Sequence, residues 1–97
     1  MTRAQDILRD AAAIVSGPRQ AQHGPAREDF DKIAEIWNAY LRIRREPATP
    51  LDAEDVATMM ELLKTARSQC GAYNPDDYLD KCGYGGISGE IAARKAQ

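Results

Sequence analysis

Phe30-Asp31-Lys32-Ile33-Ala34-Glu35-Ile36-Trp37-Asn38-Ala39-Tyr40-Leu41 is the stretch that decides the fold. Phe30, Ile33, Ala34, Trp37, Tyr40 and Leu41 follow i, i+3, i+4, i+7 spacing, the period of a helix with one apolar face. The pattern extends from about Ala26 to Arg45, and Pro47 and Pro50 stop it. Toward the C-terminus, Asp52 opens a third helix, with Glu54 and Asp55 in the first turn where the helix dipole favours anions. Its inward positions are expected to be Val56, Met59, Met60, Leu63 and Ala66, and Gly71 closes it. Asn74-Pro75-Asp76-Asp77 then reads as an N-cap, a proline in the first position and acids behind it. That fourth helix should run to about Arg94 with Leu79, Cys82, Ile87 and Ile91 inward. Toward the N-terminus, Thr2 and Gln5 suggest a capping box. Ile7, Leu8, Ala11, Ile14 and Val15 form one stripe, and Gly17-Pro18 ends it. No segment alternates polar and apolar residues as a strand would. The expected fold is all-α, a small bundle of about four helices in one domain over 1–97. It divides into a helix at 2–16, a loop at 17–26 and a three-helix centre at 26–94.

Composition narrows the class further. Of 97 residues 43% are hydrophobic, but 16 are alanine, the best helix former and a poor core filler. A core this thin calls for help from partner subunits, so a homo-oligomer is expected. The N-terminal helix, set apart by the Gly17–Pro25 loop, is the element expected to dock on a neighbour. No apolar run approaches the roughly 18 residues of a membrane span. With 13 basic and 15 acidic residues, the charge balance argues against binding duplex nucleic acid. The N-terminus shows no signal-peptide pattern, which points to the cytoplasm. Cys70 and Cys82 lack the partners of a zinc site and are expected to be reduced, half-buried thiols.

Candidate chemistry rests on carboxylates and two cations. Glu28, Asp31 and Glu35 share one face of the second helix, and Asp77, Asp80 and Tyr84 lie on one stripe of the fourth. Carboxylates converging from neighbouring helices could hold Mg²⁺, with Lys64 and Arg67 gripping a phosphate. The plainer alternatives are a solvated acidic face and ordinary charge stabilisation of a helix N-terminus. Trp37 and Tyr40 can serve as core or as a platform for a base. His23 lies in the polar loop between the first two helices, where functional residues often sit. With one histidine and no serine elbow, nucleophilic catalysis has almost no support, and no phosphate-binding loop follows a strand. Gly83, Gly85, Gly86 and Gly89 crowd the fourth helix. Close packing of another backbone is the first reading of them, and a ligand gap or a break in the helix is the second.

The ordered combination of His23-Gly24, the Phe30-to-Leu41 stripe, Asp55-Val56-Ala57-x-Met59-Met60-x-Leu62-Leu63-Lys64-x-Ala66-Arg67 and Asp77-x-x-Asp80-x-x-Gly83-Tyr84 carries a resemblance. Over about Arg19 to Ala92 the chain resembles a family of small phage and prophage helical proteins of unknown function. More distantly it is similar to the all-α, MazG-like nucleotide pyrophosphohydrolases, which hold Mg²⁺ on paired acidic helices. That resemblance implies metal ligation by Glu28, Asp31, Glu35, Asp77 and Asp80, and a phosphate grip by Lys64 and Arg67. The first acidic motif here is E-x-x-D at the very start of a helix, and Glu54-Asp55 lacks a matching acid three residues further on, both departures from the enzyme pattern.

Three functions therefore stand as expectations. The first is a phage protein that sequesters a nucleotide or cyclic nucleotide defence signal without chemistry, using Lys64, Arg67, Tyr84, His23 and Trp37 and no cofactor. The second is a Mg²⁺-dependent pyrophosphohydrolase. The third is an interaction module acting on a host factor.

Overall fold

The computed structural model describes residues 2–15 and 26–97. It is all-α, a small bundle with four helices among the described residues: α1 (Ala4–Val15), α2 (Ala26–Ile43), α3 (Ala53–Ser68) and α4 (Pro75–Lys95). The starts of α3 and α4 are those the sequence announces. At α3 the Asp52 side chain accepts from the Asp55 N–H, and the Asp55 side chain accepts from the Asp52 N–H, a reciprocal capping box. At α4 the Asn74 side chain accepts from the Asp76 N–H, and Pro75 occupies the first turn. Gly71 adopts φ 61°, a left-handed conformation that lets the chain leave α3 and turn back. At α1 the cap differs from expectation. Helix α1 begins at Ala4, and it is the Arg3 N–H that bonds the Asp6 carboxylate, at 3.3 Å. An ionised carboxylate is a stronger acceptor than the Gln5 amide and moves the boundary by a residue.

Helix α3 is the centre of the fold. Extensive packing joins α3 to α4 and α2 to α3. Among the described residues the buried apolar side chains are Ile33, Ala57, Ala66 and Cys70, all on α2, α3 or the residues just after α3. Trp37 pins α2 to α3 by donating its ring N–H to the Met59 carbonyl at 2.7 Å. The connection between α2 and α3 is held by charge. Arg44 bonds the Asp55 carboxylate at 2.8 Å, with side chains only 8% and 12% exposed, and Tyr40 donates its hydroxyl to the same carboxylate at 2.6 Å. The same guanidinium bonds the Pro47 and Thr49 carbonyls, so one side chain fixes the whole turn.

The inward face of α4 is not the expected one. Leu79 is 71% exposed, Ile87 and Cys82 are exposed too, and Ile91 is half-buried. The side facing α3 is polar: Asp77 is buried, Asp80 meets Lys64, and Lys95 bonds Asp52 at 2.8 Å and Glu54 at 3.0 Å. Phe30 and Val56, read as inward, are also mostly exposed, at 60% and 54%. Helix α4 runs unbroken through its glycines, and close packing explains at most one of them. A Cβ at Gly85 would meet the Glu61 carboxylate at an ordinary 3.5 Å, whereas one at Gly83, Gly86 or Gly89 would meet nothing within 4 Å. Of the thiols, Cys70 is buried and Cys82 exposed, both free. The molecule is open, with a surface of 7129 Å². A compact monomer of its mass would expose about 5500 Å².

Removing one partner of a buried ion pair strands the other charge. Arg44→Met is expected to lower unfolding free energy by about 3–5 kcal/mol, and Tyr40→Phe by about 1.5–3 kcal/mol because its acceptor is charged. Urea midpoints for the two variants, read at equal slope, check both the size and the order.

Candidate functional site

Two helices assemble the only concentration of candidate residues among those described. Helices α3 and α4 run antiparallel, and three contacts set their register: Asp52 and Glu54 with Lys95, Glu61 beneath Gly85, and Lys64 with Asp80. In that register Arg67 falls opposite Asp77, which is 3% exposed. Lys64 Nζ lies 3.0 Å from the Asp80 carboxylate, its side chain only 17% exposed. The pairing neutralises one of the two cations expected to grip phosphate. Arg67 keeps a buried Nε without a hydrogen-bond partner. Tyr84, with Leu79, Asp80, Gly83 and Ile87, lines a shallow groove of about 260 Å³ that lies along α4.

The remaining candidates sit elsewhere. Trp37 is half-buried, its N–H already bonded to Met59, so it serves the α2–α3 junction. Glu28, Asp31 and Glu35 are exposed on α2, Asp31 within 3.7 Å of Arg27 one turn back. Asp77 and Asp80 belong to the α3–α4 seam and do not join them. Among the described residues no three His, Cys, Asp or Glu side chains come together in a way that could hold a metal ion. His23 lies outside the described residues.

Sequence reading passed over two polar clusters. One is the Arg44–Asp55–Tyr40 node, whose only sequence signal was the Asp52–Asp55 capping spacing. Burial first, and then the Asp55 carboxylate it bonds, push the Tyr40 hydroxyl up to about 12. The other joins the start of α2 to the end of α3. Asp29 is 5% exposed with one carboxylate oxygen unpartnered, and Lys32 donates to the Gln69 carbonyl at 3.1 Å. The Cys70 thiol there is raised, chiefly by burial and then by Asp29 beside it. A thiol pushed upward is a poor nucleophile, so this cluster is structural. At the far end of the seam, hydrogen bonds from Lys95 and then from the Asp55 N–H hold the Asp52 carboxyl down to about 2. These groups are engaged in holding helices together. Large apolar side chains are left uncovered: Leu79 and Ile87 along the groove, and the stripe of α1, where Ile7, Leu8, Ile14 and Val15 are 55–68% exposed and no residue is buried.

The comparisons agree on the kind of protein. Residues 6–92 match the family model described as a domain of unknown function, DUF6378. The Gene 55 protein of Mycobacterium phage L5 is 40% identical over 81 residues, covering 84% of this chain and 49% of the relative. The Gene 55 protein of Mycobacterium phage D29 is 33% identical over 82 residues, covering 84% and 50%. The chain thus spans about half the length of the curated relatives it matches. None of these matches is to a MazG-like pyrophosphohydrolase, and no solved structure matches. Among the described residues no helix is long and apolar enough to cross a membrane.

The Tyr40 environment sets an alkaline limit. Its folded pKa of about 12 lies above the ordinary 10.0, so its contribution is complete below pH 10.0 and lost as pH rises toward 12. Denaturant midpoints should fall through that window. In Tyr40→Phe the fall should be shallower, and ultraviolet titration should lose its latest-ionising tyrosine.

Proposed function

The chain belongs to the DUF6378 family, a small-domain family of unknown function with relatives in phages, and from that membership and its open surface we propose that it works as a protein–protein interaction module. One observation carries the reading. The polar side chains of α3 and α4 are turned inward to one another while large apolar side chains face out, from Leu79 at 71% exposed to Leu8 at 68% and Phe30 at 60%. Single exposed apolar residues are ordinary on a soluble protein, but aligned ones on two helices mark a surface built to be covered. The target is a polypeptide, of the phage or of its host.

Sequestration of a nucleotide has less geometry behind it. A phosphate needs cations with free valence, and Lys64 is already ion-paired with Asp80. Trp37, read as core or as a platform for a base, is held at the α2–α3 junction by its bond to Met59. The hydrolytic alternative needs clustered carboxylates, and Glu28, Asp31 and Glu35 stand apart from Asp77 and Asp80.

A photo-crosslinking residue placed at position 79 or 14, in cells that make the protein, tests the reading directly. A stoichiometric covalent adduct with a polypeptide is expected at both positions, and calorimetry with linear and cyclic nucleotides should give no heat. Nucleotide heat without any protein adduct would overturn it.

A further inference from the structure

Two apolar surfaces are left uncovered, and each has the form of the other's missing partner. The first is α1. Its stripe of Ile7, Leu8, Ile14 and Val15 is exposed along the whole helix, with the Arg9–Asp6 pair at 3.4 Å beside it. A helix of 12 residues is marginal on its own in water, and most helical stability comes from covering such a stripe. The second is the groove along α4. Leu79 and Ile87 flank Gly83 along it at four-residue spacing, and Asp80 and Tyr84 line it too.

The glycines make the groove more than a chance gap. Gly83 and Gly86 lie in a continuous helix at ordinary helical φ, and a Cβ at either would meet nothing. Each lowers the helix propensity relative to alanine, and no contact among the described residues requires it. Glycine between two apolar side chains admits a second helix at close range. Along the axis, Ile7 and Ile14 are about 10.5 Å apart and Leu79 and Ile87 about 12 Å apart, by the 1.5 Å rise per residue. The two pairs therefore interdigitate over two turns.

We infer that α1 of a second copy of this chain seats in the Leu79–Gly83–Ile87 groove of α4, and that the exchange is reciprocal, forming a two-fold dimer. The inference rests on the interaction-module reading and names its occupant. A second copy is favoured because α1 leaves the groove of its own chain open, and because one two-fold operation covers both surfaces at once. A foreign partner on either surface would leave the other bare. The area suffices. Six exposed large side chains, four from α1 and two from α4, bury roughly 100 Å² apiece. That is about 600 Å² per seat and about 1200 Å² for the reciprocal pair, the lower bound of a specific, stable interface.

Sedimentation equilibrium of the full chain tests this. Wild type should be a dimer. Gly83→Trp fills the groove from a position where a Cβ meets nothing within 4 Å, and Ile14→Lys changes a side chain already 55% exposed. Both should keep the cooperative unfolding of the three-helix centre while the dissociation constant rises about 30-fold or more, as for loss of a central anchor. Gly89→Ala, away from the groove lining, should leave the constant unmoved. A monomer at every concentration, or a dimer indifferent to both Gly83→Trp and Ile14→Lys, would overturn the exchange. The crosslinks at positions 79 and 14 separate the two levels. A wild-type monomer whose crosslinks capture a different polypeptide defeats only the self-exchange, whereas no adduct at either position defeats the interaction reading with it.

Discussion

The Asp55 carboxylate, held between the Arg44 guanidinium at 2.8 Å and the Tyr40 hydroxyl at 2.6 Å, is the interaction on which the rest of this fold depends. It also closes the capping box of α3 by accepting from the Asp52 N–H. One side chain therefore starts α3, fixes the end of α2 against it, and engages the guanidinium that holds the intervening turn through Pro47 and Thr49. With no large side chain completely buried among the described residues, a directional, desolvated ion pair supplies geometric definition that packing alone would leave loose. Such a pair adds little net stability over a well-packed apolar substitute, but breaking it is expensive.

Charge plays the same role between α3 and α4. Asp52 and Glu54 with Lys95 at one end, and Lys64 with Asp80 nearer the other, set the register of the hairpin. The exposed pairs in this series contribute little energy individually. Their effect is on specificity, since a slip by one turn would part these pairs. A seam specified by charge leaves the apolar residues of α4 free to point outward.

That inversion explains what could and could not be read from the sequence. Helix boundaries were legible where a local chemical signal set them: Asp52 with Asp55, Asn74 with Pro75, and the Phe30–Leu41 stripe. The inward positions of α4 were not, because hydrophobic periodicity assumes that the apolar stripe meets the rest of the same chain. Leu79 and Ile87 obey the period and face out, while Asp77 and Asp80 take the inward side. Phe30 and Val56 mislead in the same manner. Of the candidate site, the cluster of Lys64, Asp80 and Tyr84 on adjacent helices was foreseeable from helical spacing. That Lys64 would spend its charge on Asp80 was not, because the α3–α4 register depends on side chains more than forty residues apart in sequence, such as Asp52 and Lys95.

The glycines of α4 connect these observations. A helix selected only for its own stability would carry alanine at Gly83 and Gly86, where the surroundings leave room for a Cβ. Keeping glycine there makes sense only if the flatness of the surface is used, and flatness is a property that matters to something lying against it. The α3 side of the helix is already filled by polar partners, so what lies against the other side comes from outside the three-helix centre. The family's phage relatives extend to about twice the length matched by this chain. On the interaction reading proposed above, a module that exposes its apolar rows, and keeps its charges for internal register, is completed by another surface. Association would then be a part of folding for this domain.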